Sequence, residues 1–398
     1  MLNSAAQSAL SLDFKPTLHF PGSAVQGTVS INLNEARSQE INCVRVKLRG
    51  DVNTIVYQYT GYSVNPIPGH REFVRQDLDL WTPGSSFPPQ GDVLALPFNL
   101  EMPRASLPPS NASKSSAGTA CCRYKVEVVG DREGLLKRNR RLAQAFPFLP
   151  DDTPGWHVKQ QLQSGAWMGQ WKTEVLSDQV RQVLWHDHAQ VSAQLHLPDV
   201  PSLPLSTAIP FKLEIQTQTR PLKEKDVSKK EADDHLFPYP ADMADIKLEL
   251  KTRHKVKTGS GDSKWRKSDE WCGLTARWHK TEDLCQGNCE FTEERAEPET
   301  SPSGDKFVIE QRNCISGSFV LHTTSPSYET DIHIVTHELL LKVPFKGLTN
   351  NLNFHLPVQV SSGCSAQDAE HAEYEMLPDY YDIADSDDDG KGGDTKKK

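Results

Sequence analysis

Apolar and polar residues alternate with a period of two through most of this chain. Val25, Gly27, Val29, Ile31 and Leu33 are interleaved with Gln26, Thr28, Ser30 and Asn32. Val44, Val46 and Leu48 are interleaved with Arg45, Lys47 and Arg49, and Leu94, Leu96, Phe98, Leu100 and Met102 form a third set. Cys122, Tyr124, Val126 and Val128 form a fourth. The habit resumes with Val191, Ala193, Leu195 and Leu197, then Phe211, Leu213 and Ile215, then Ile246, Leu248 and Leu250, and finally Phe354, Leu356, Val358 and Val360. Side chains of a strand point alternately to its two faces, so each set predicts a strand with one buried and one wet face, as in antiparallel sheets. Clusters such as Phe20-Pro21-Gly22-Ser23 and Trp81-Thr82-Pro83-Gly84 separate the early strands. Pro97 and Pro357 fall inside strand patterns, which places those strands at sheet edges or bulges because proline donates no ladder hydrogen bond. Runs at helical spacing are nearly absent. The pattern predicts an all-β chain of two consecutive antiparallel β-sandwiches.

The first sandwich is expected over residues 10–150 and the second over 183–362, with a hinge or linker at 151–182 that follows Phe148-Leu149-Pro150. Three stretches read as charged surface insertions: Lys223 to Asp234, the Gly/Ser/Lys-rich Lys257 to Lys267, and the acidic Glu293 to Asp305. From 363 to 398 the chain is polar and acidic, ending Asp385-Ser386-Asp387-Asp388-Asp389 and then Lys396-Lys397-Lys398. Such a tail buries too little apolar surface to order itself.

A length of 398 residues suits two medium domains plus tails. With 36% hydrophobic residues the chain is too apolar for wholesale disorder, and no apolar run approaches the ~20 residues that span a bilayer. Met1-Leu2-Asn3-Ser4 lacks a basic n-region and an apolar core, so no secretory signal is expected. A net charge of −9 argues against a general nucleic-acid binder. The eight cysteines are irregularly spaced, and the adjacent Cys121 and Cys122 would point to opposite faces of a strand. Reduced cytosolic thiols are therefore expected, which makes the Asn111-Ala112-Ser113 sequon accidental.

Leu12-Asp13-Phe14 followed by Phe20-Pro21-Gly22-Ser23-Ala24-Val25-Gln26-Gly27-Thr28-Val29 resembles the start of an arrestin N-terminal domain. The Val-x-Val-x-Leu-x-Gly ending of Ile41 to Gly50 resembles that family's next strand. Leu96-Pro97-Phe98-Asn99-Leu100 with Leu107-Pro108-Pro109-Ser110, and Cys122-Arg123-Tyr124-Lys125-Val126, resemble its later ones. Near the other end, Ser325-Pro326-Ser327-Tyr328-Glu329-Thr330, the His337-Glu338-Leu339 strand and Leu356-Pro357-Val358-Gln359-Val360 resemble the close of an arrestin C-terminal domain. The resemblance runs from about residue 10 to 362 and is nearest to the α-arrestins. It implies immunoglobulin-like sandwiches and a non-enzymatic adaptor that links membrane cargo, such as transporters or receptors, to a ubiquitin ligase and endocytosis. It further implies a cytoplasmic protein recruited peripherally to the plasma membrane or endosomes. The alternative kept beside it is a retromer-like trafficking scaffold that recruits no ligase.

The candidate sites are few. Leu377, Pro378 and Tyr380, in Leu377-Pro378-Asp379-Tyr380, are similar to the Leu/Pro-Pro-x-Tyr ligands of WW domains, which α-arrestins use to recruit HECT-type ubiquitin ligases. Pro378 pre-sets a polyproline-like backbone and Tyr380 would fill the neighbouring pocket. Leu377 stands where the strongest such ligands have proline, and an ordinary acidic tail is the plainer alternative. Tyr380-Tyr381-Asp382-Ile383 also fits the loose Tyr-x-x-apolar pattern read by clathrin adaptors. Arg132, Lys137, Arg138, Arg140 and Arg141 form a basic cluster with the charge to contact phosphate on a cargo tail or anionic lipid, although a solvated loop beside acidic neighbours is the expectation. Cys272, His279, Cys285 and Cys289 could make four zinc ligands, but they match no finger spacing and are expected to be metal-free. His186-Asp187-His188 is expected to be plain surface. No Gly-x-Ser-x-Gly elbow, phosphate-cradling glycine loop or His-Glu-x-x-His motif occurs, so neither catalysis nor a cofactor is expected.

Overall fold

The computed structural model describes residues 8–85, 91–134, 137–165, 167–181, 188–224, 246–258, 274–284, 290–296, 299–303, 305–321, 325–345 and 351–366. In chain order the first half forms β1 (Leu10–Asp13), β2 (Ala24–Asn32), the short helix α1 (Leu33–Ser38), β3 (Ile41–Thr60), β4 (Ser63–Trp81), β5 (Val93–Glu101), β6 (Asn111–Lys114), β7 (Gly118–Arg132) and β8 (Arg140–Phe146). One sheet has the order β1-β2-β5; the other runs β4-β3-β7, with β6 and β8 pairing opposite ends of β7. The alternation seen in the sequence is the packing. Val25, Val29, Ile31, Leu94, Leu96 and Phe98 from the first sheet bury against Val44, Val46, Leu48, Tyr124, Val126 and Val128 from the second. Close approach of β2 to its neighbours needs Gly27, where a Cβ would lie 2.7 Å from the Phe98 ring and 2.8 Å from the Asp13 carbonyl.

Helix α2 (Thr153–Gln163) leads into the second half: β9 (Trp171–Arg181), β10 (His188–Pro198), β11 (Leu203–Pro204), β12 (Ala208–Thr219), β13 (Lys247–Lys257), β14 (Thr275–Asp283), β15 (Glu290–Arg295), β16 (Glu299–Ser303), β17 (Lys306–Val320), β18 (Tyr328–Glu329), β19 (His333–Pro344), β20 (Asn351–Val358) and β21 (Val360–Ser361). One sheet has the order β15-β17-β12-β10-β9, with β16 also on β17; the facing sheet runs β14-β13-β19-β18, with β20 also on β19. Val191, Leu195, Phe211, Leu213, Ile315 and Phe319 bury against Leu248, Leu250, Leu339, Leu341, Leu352 and Phe354. The chain is thus all-β, with two cores, each between two antiparallel sheets. Pro97 and Pro357 lie on β5 and β20, which among the described residues pair on one side only, as expected of strands that carry proline.

Four expectations change in detail. Leu33 ends the apolar alternation of β2 but opens α1, because the Asn32 side chain accepts from the backbone N–H groups of Asn34 and Glu35, both at 3.1 Å. The stretch read as a hinge holds α2 and an 11-residue strand that pairs along the whole of β10. Part of the Glu293 to Asp305 insertion is sheet, since β15 and β16 both hydrogen-bond to β17. Gly363 to Ala366, read as the start of the tail, are tied down. Asp152 caps α2 through Oδ1 while its Oδ2 accepts from Gly363 N at 3.0 Å, and Asp151 Oδ1 accepts from Ala366 N at 2.8 Å. The rest of the tail lies outside the described residues.

The buried face of β3 should be far more sensitive than its outer face. Leu48→Ala is expected to cost about 2–5 kcal/mol through lost burial and a residual cavity. Lys47→Ala, one residue away on the opposite face, is expected to change stability by less than about 0.5 kcal/mol. Urea denaturation of the two variants makes the comparison.

Candidate functional site

The structure brings the basic cluster together at the β7–β8 turn. Arg132 ends β7, Lys137 and Arg138 lie in the turn, and Arg140 and Arg141 begin β8. Three of its five side chains have partners within the fold. Lys137 pairs with Glu40, Arg140 Nε donates to Gln39 Oε1 at 2.9 Å, and Arg141 pairs with Glu127 at 3.2 Å. Asn139 closes the turn, accepting from Arg132 N at 3.0 Å and donating to Asp131 at 2.8 Å. A phosphate arriving here would displace carboxylates and amides already in place, which favours the plainer reading of a solvated, self-paired loop. Leu377, Pro378 and Tyr380 lie outside the described residues, as do Cys272, Cys285, Cys289, His186 and Asp187. His279 is exposed on β14.

A second arrangement is built where the two halves meet. The strands of the β3–β4 hairpin are 20 and 19 residues long, and its outer part leaves the first core to reach β13 and β14. Thr54 Oγ1 donates to the Lys257 carbonyl at 2.8 Å. Gly69 sits opposite, where a Cβ would lie 3.0 Å from that same carbonyl. Val56 and Ala120 from the first half pack with Val256 and Ala276 from the second, flanked by Trp278. The Trp278 indole N–H donates to Ser113 Oγ at 2.8 Å. In return the second half inserts its β18–β19 turn: Ile332 is buried in the first core, and Asp331 pairs with Arg71 at 3.4 Å.

Under this contact lies a buried chain of histidines. On β13 and β19 the inward face runs through Leu248, Leu250, His254 and Val256, and through His333, Val335, His337, Leu339 and Leu341. His254, His333 and His337 are 5%, 0% and 3% exposed. Tyr328 Oη and His333 Nδ1 are 2.6 Å apart, His333 Nε2 and His254 Nδ1 3.2 Å, and Ser327 Oγ and His337 Nδ1 2.8 Å. His254 also stacks on Trp278, with ring centroids 5.4 Å apart. Tyr328 faces Asn111 of β6 and the thiols of Cys122 and Cys121 of β7, so the chain ends against the first half. Burial holds His254 at a pKa of about 4, with Lys280 adding to the effect, and His333 at about 3, with His254 adding. Burial, again with His254, holds His337 at about 4. Burial raises the Tyr328 hydroxyl well above its ordinary range. All four groups are neutral at pH 7; Tyr328, His333 and His254 are joined in series, and His337 bonds to Ser327 beside them.

Three of the described cysteines are poor nucleophiles. Burial pushes the Cys121 thiol to about 11 and Cys122 well above the usual value. Cys314 lines an open polar cleft of about 550 Å³ with Ser192, Gln194, Glu214, Gln216 and Arg312. Its thiol is raised by burial and by the carboxylates of Glu214 and Glu294, so little thiolate exists at neutral pH. Asn111, the sequon asparagine, is buried against Tyr328. No protein-family model and no curated protein matches this chain.

The histidine chain was missed in the sequence because His337 was read only as part of a family motif. The available signal was phase: His254, His333 and His337 occupy the apolar register of their strands. The contact across the junction should be measurable. Trp278→Phe keeps the ring and loses the donor to Ser113, and a double-mutant cycle with Ser113→Ala is expected to give a coupling of about 0.5–1.5 kcal/mol in urea denaturation. Additive effects would mean that the two halves do not meet there in solution.

Proposed function

We propose that this chain is an arrestin-like adaptor of the α-arrestin kind, linking cytosolic segments of membrane-protein cargo to a HECT-type ubiquitin ligase and to endocytosis. The observation that carries the reading is the placement of the resembling motifs on a pair of interlocked two-sheet cores. The Pro21-Gly22 turn feeds β2, Val44 to Gly50 lies in β3, Leu96 to Leu100 in β5 and Cys122 to Val126 in β7. His337-Glu338-Leu339 lies in β19, and Leu356 to Val360 runs through β20 into β21. Six short patterns in family order, each on a strand or strand-leading turn, support common architecture more strongly than any one alone.

In this reading the cores hold cargo and the tail brings the ligase. A partner segment can add to an edge such as β9, which among the described residues pairs only with β10. The uncharged tip of the β3–β4 hairpin, with Tyr59, Tyr62 and Val64 exposed, offers a further contact surface. Pro378 stacks in the aromatic groove of a WW domain and Tyr380 fills its neighbour. Tethering then makes ubiquitin transfer to the cargo nearly intramolecular, through effective concentration. The chain acts in the cytoplasm and is drawn to the plasma membrane or endosomes by its cargo. Among the described residues no helix is long and apolar enough to cross a membrane.

One observation favours a second reading: Leu377 replaces the first proline of the full WW ligand. A retromer-like trafficking scaffold with the same cores would need no ligase. Titration of WW domains from HECT ligases with a peptide of residues 369–386 separates the two. Binding is expected, and both Pro378→Ala and Tyr380→Ala should abolish it. No binding at millimolar peptide would remove the ligase from the proposal and move the scaffold ahead.

A further inference from the structure

We propose that the junction between the two halves is an acid-sensitive latch, in which protonation of His254 and His333 releases the first half from the second while both cores stay folded. The argument begins with position. The two histidines sit where β13 and β19 leave the second core, between Leu250 and Leu339 on one side and the N-terminal strands on the other. One end of the network is Tyr328, set against Asn111 of β6. The other is Trp278, which stacks on His254 and donates to Ser113 of the same strand. A single short strand of the first half is therefore gripped at both ends of one imidazole chain.

The surroundings are built for neutral rings. The groups facing the network are Tyr328 on β18, His337 on β19, Trp278 and Lys280 on β14, Asn111 and Ser113 on β6, and Cys121 and Cys122 on β7. The charged group acting on His254 is Lys280, of the same sign as an imidazolium. Asp51 acts on the two cysteines, pairs with Arg123 at 3.8 Å, and is not among the groups acting on the histidines. Asp331 is turned outward to Arg71 at the rim.

Linkage gives the direction. Each ring has a lower proton affinity in the closed junction than in water, where its ordinary value is about 6.5. The closed form is fully favoured above pH 6.5 and loses ground as pH falls from there toward about 4. Each histidine shifts the balance up to about tenfold per pH unit in that window. What opposes opening is modest beside either core: the apolar contact is Val56, Ala120, Val256 and Ala276 with Trp278 at their side, and Ile332 set into the first core. The latch is the part of the molecule that two buried protons can undo first. This inference does not depend on the adaptor reading.

Hydrogen exchange of the full chain at pH 7.4 and 5.0, corrected for intrinsic exchange rates, tests it. Segments 52–60, 111–120 and 328–335 are expected to lose protection at least tenfold at pH 5.0 and to regain it on return to pH 7.4. β12 and β17 should keep theirs. The double variant His254→Gln/His333→Gln, which retains polar groups but cannot take a proton, should flatten the response. Lys280→Glu, at an exposed position, should move it to lower pH by giving His254 a counter-charge, and it serves if the double variant does not fold. Unchanged protection in the native chain, equal loss in all segments, or a response that survives both sets of substitutions would each overturn the latch.

Discussion

The molecule depends on one continuous strand that serves two interiors. The first part of β3 buries Val44, Val46 and Leu48 in the N-terminal core, and its last part carries Thr54 and Val56 to the second half. The change of duty falls between Val52, still in the first core, and Thr54, just beyond the point where the β3–β4 register slips between Gly50 and Asp51. Such an irregularity bends a strand and increases its twist. Glycine is required there: a Cβ would lie 2.9 Å from Phe73, Tyr124 and Val74. The neighbouring Arg49 is buried, with NH1 donating to the carbonyls of Leu48 and Gln76 and the guanidinium paired to Glu72 and Asp77. A pinned guanidinium beside a glycine makes the bend a fixed angle.

Because the hairpin leaves its own core, the junction must supply partners for groups that neither core can satisfy. Large apolar side chains could have sealed it, as they seal both cores. Beside the single inserted Ile332, the seal is four smaller residues and a set of hydrogen bonds: Thr54 to Lys257, Trp278 to Ser113, and the Tyr328–His333–His254 chain. Hydrogen bonds of this kind add little net stability but are costly to leave half made, so they specify one docking geometry. Imidazoles add a dependence on protons that apolar residues would lack.

Much of the fold was legible because one face of nearly every strand is buried. Val25, Val29 and Ile31, or Phe211, Leu213 and Ile215, announce both the strand and the side it buries. The helix α2 was not legible, since the stripe that its segment Thr153–Gln163 turns to the core is only Gly155, Val158 and Leu162. The strand β9 was hidden for a related reason: it lies at a sheet edge and its side chains are mostly exposed or half-buried, so no alternation marks it. The basic cluster was visible as composition, but its pairing with Glu40 and Gln39 joins residues about a hundred positions apart, which no local pattern shows. The histidine chain lies between these cases. Its residues stand in the buried phase, yet only pairing of β13 with β19 brings His254 to His333.

The two parts of the functional argument rest on different physics. A sandwich pair is a scaffold that many functions share, so the cores alone argue for surfaces and edges rather than for a particular partner. The proposed ligase link would rest on a four-residue linear motif, Leu377 to Tyr380, read by two pockets on the other protein. Such a motif needs only a tether to the cores. The tether has a fixed origin: Asp151 and Asp152, at the entry to α2, hold Gly363 and Ala366 where the described chain ends. The same two aspartates therefore mark both the passage between the halves and the point from which the tail departs.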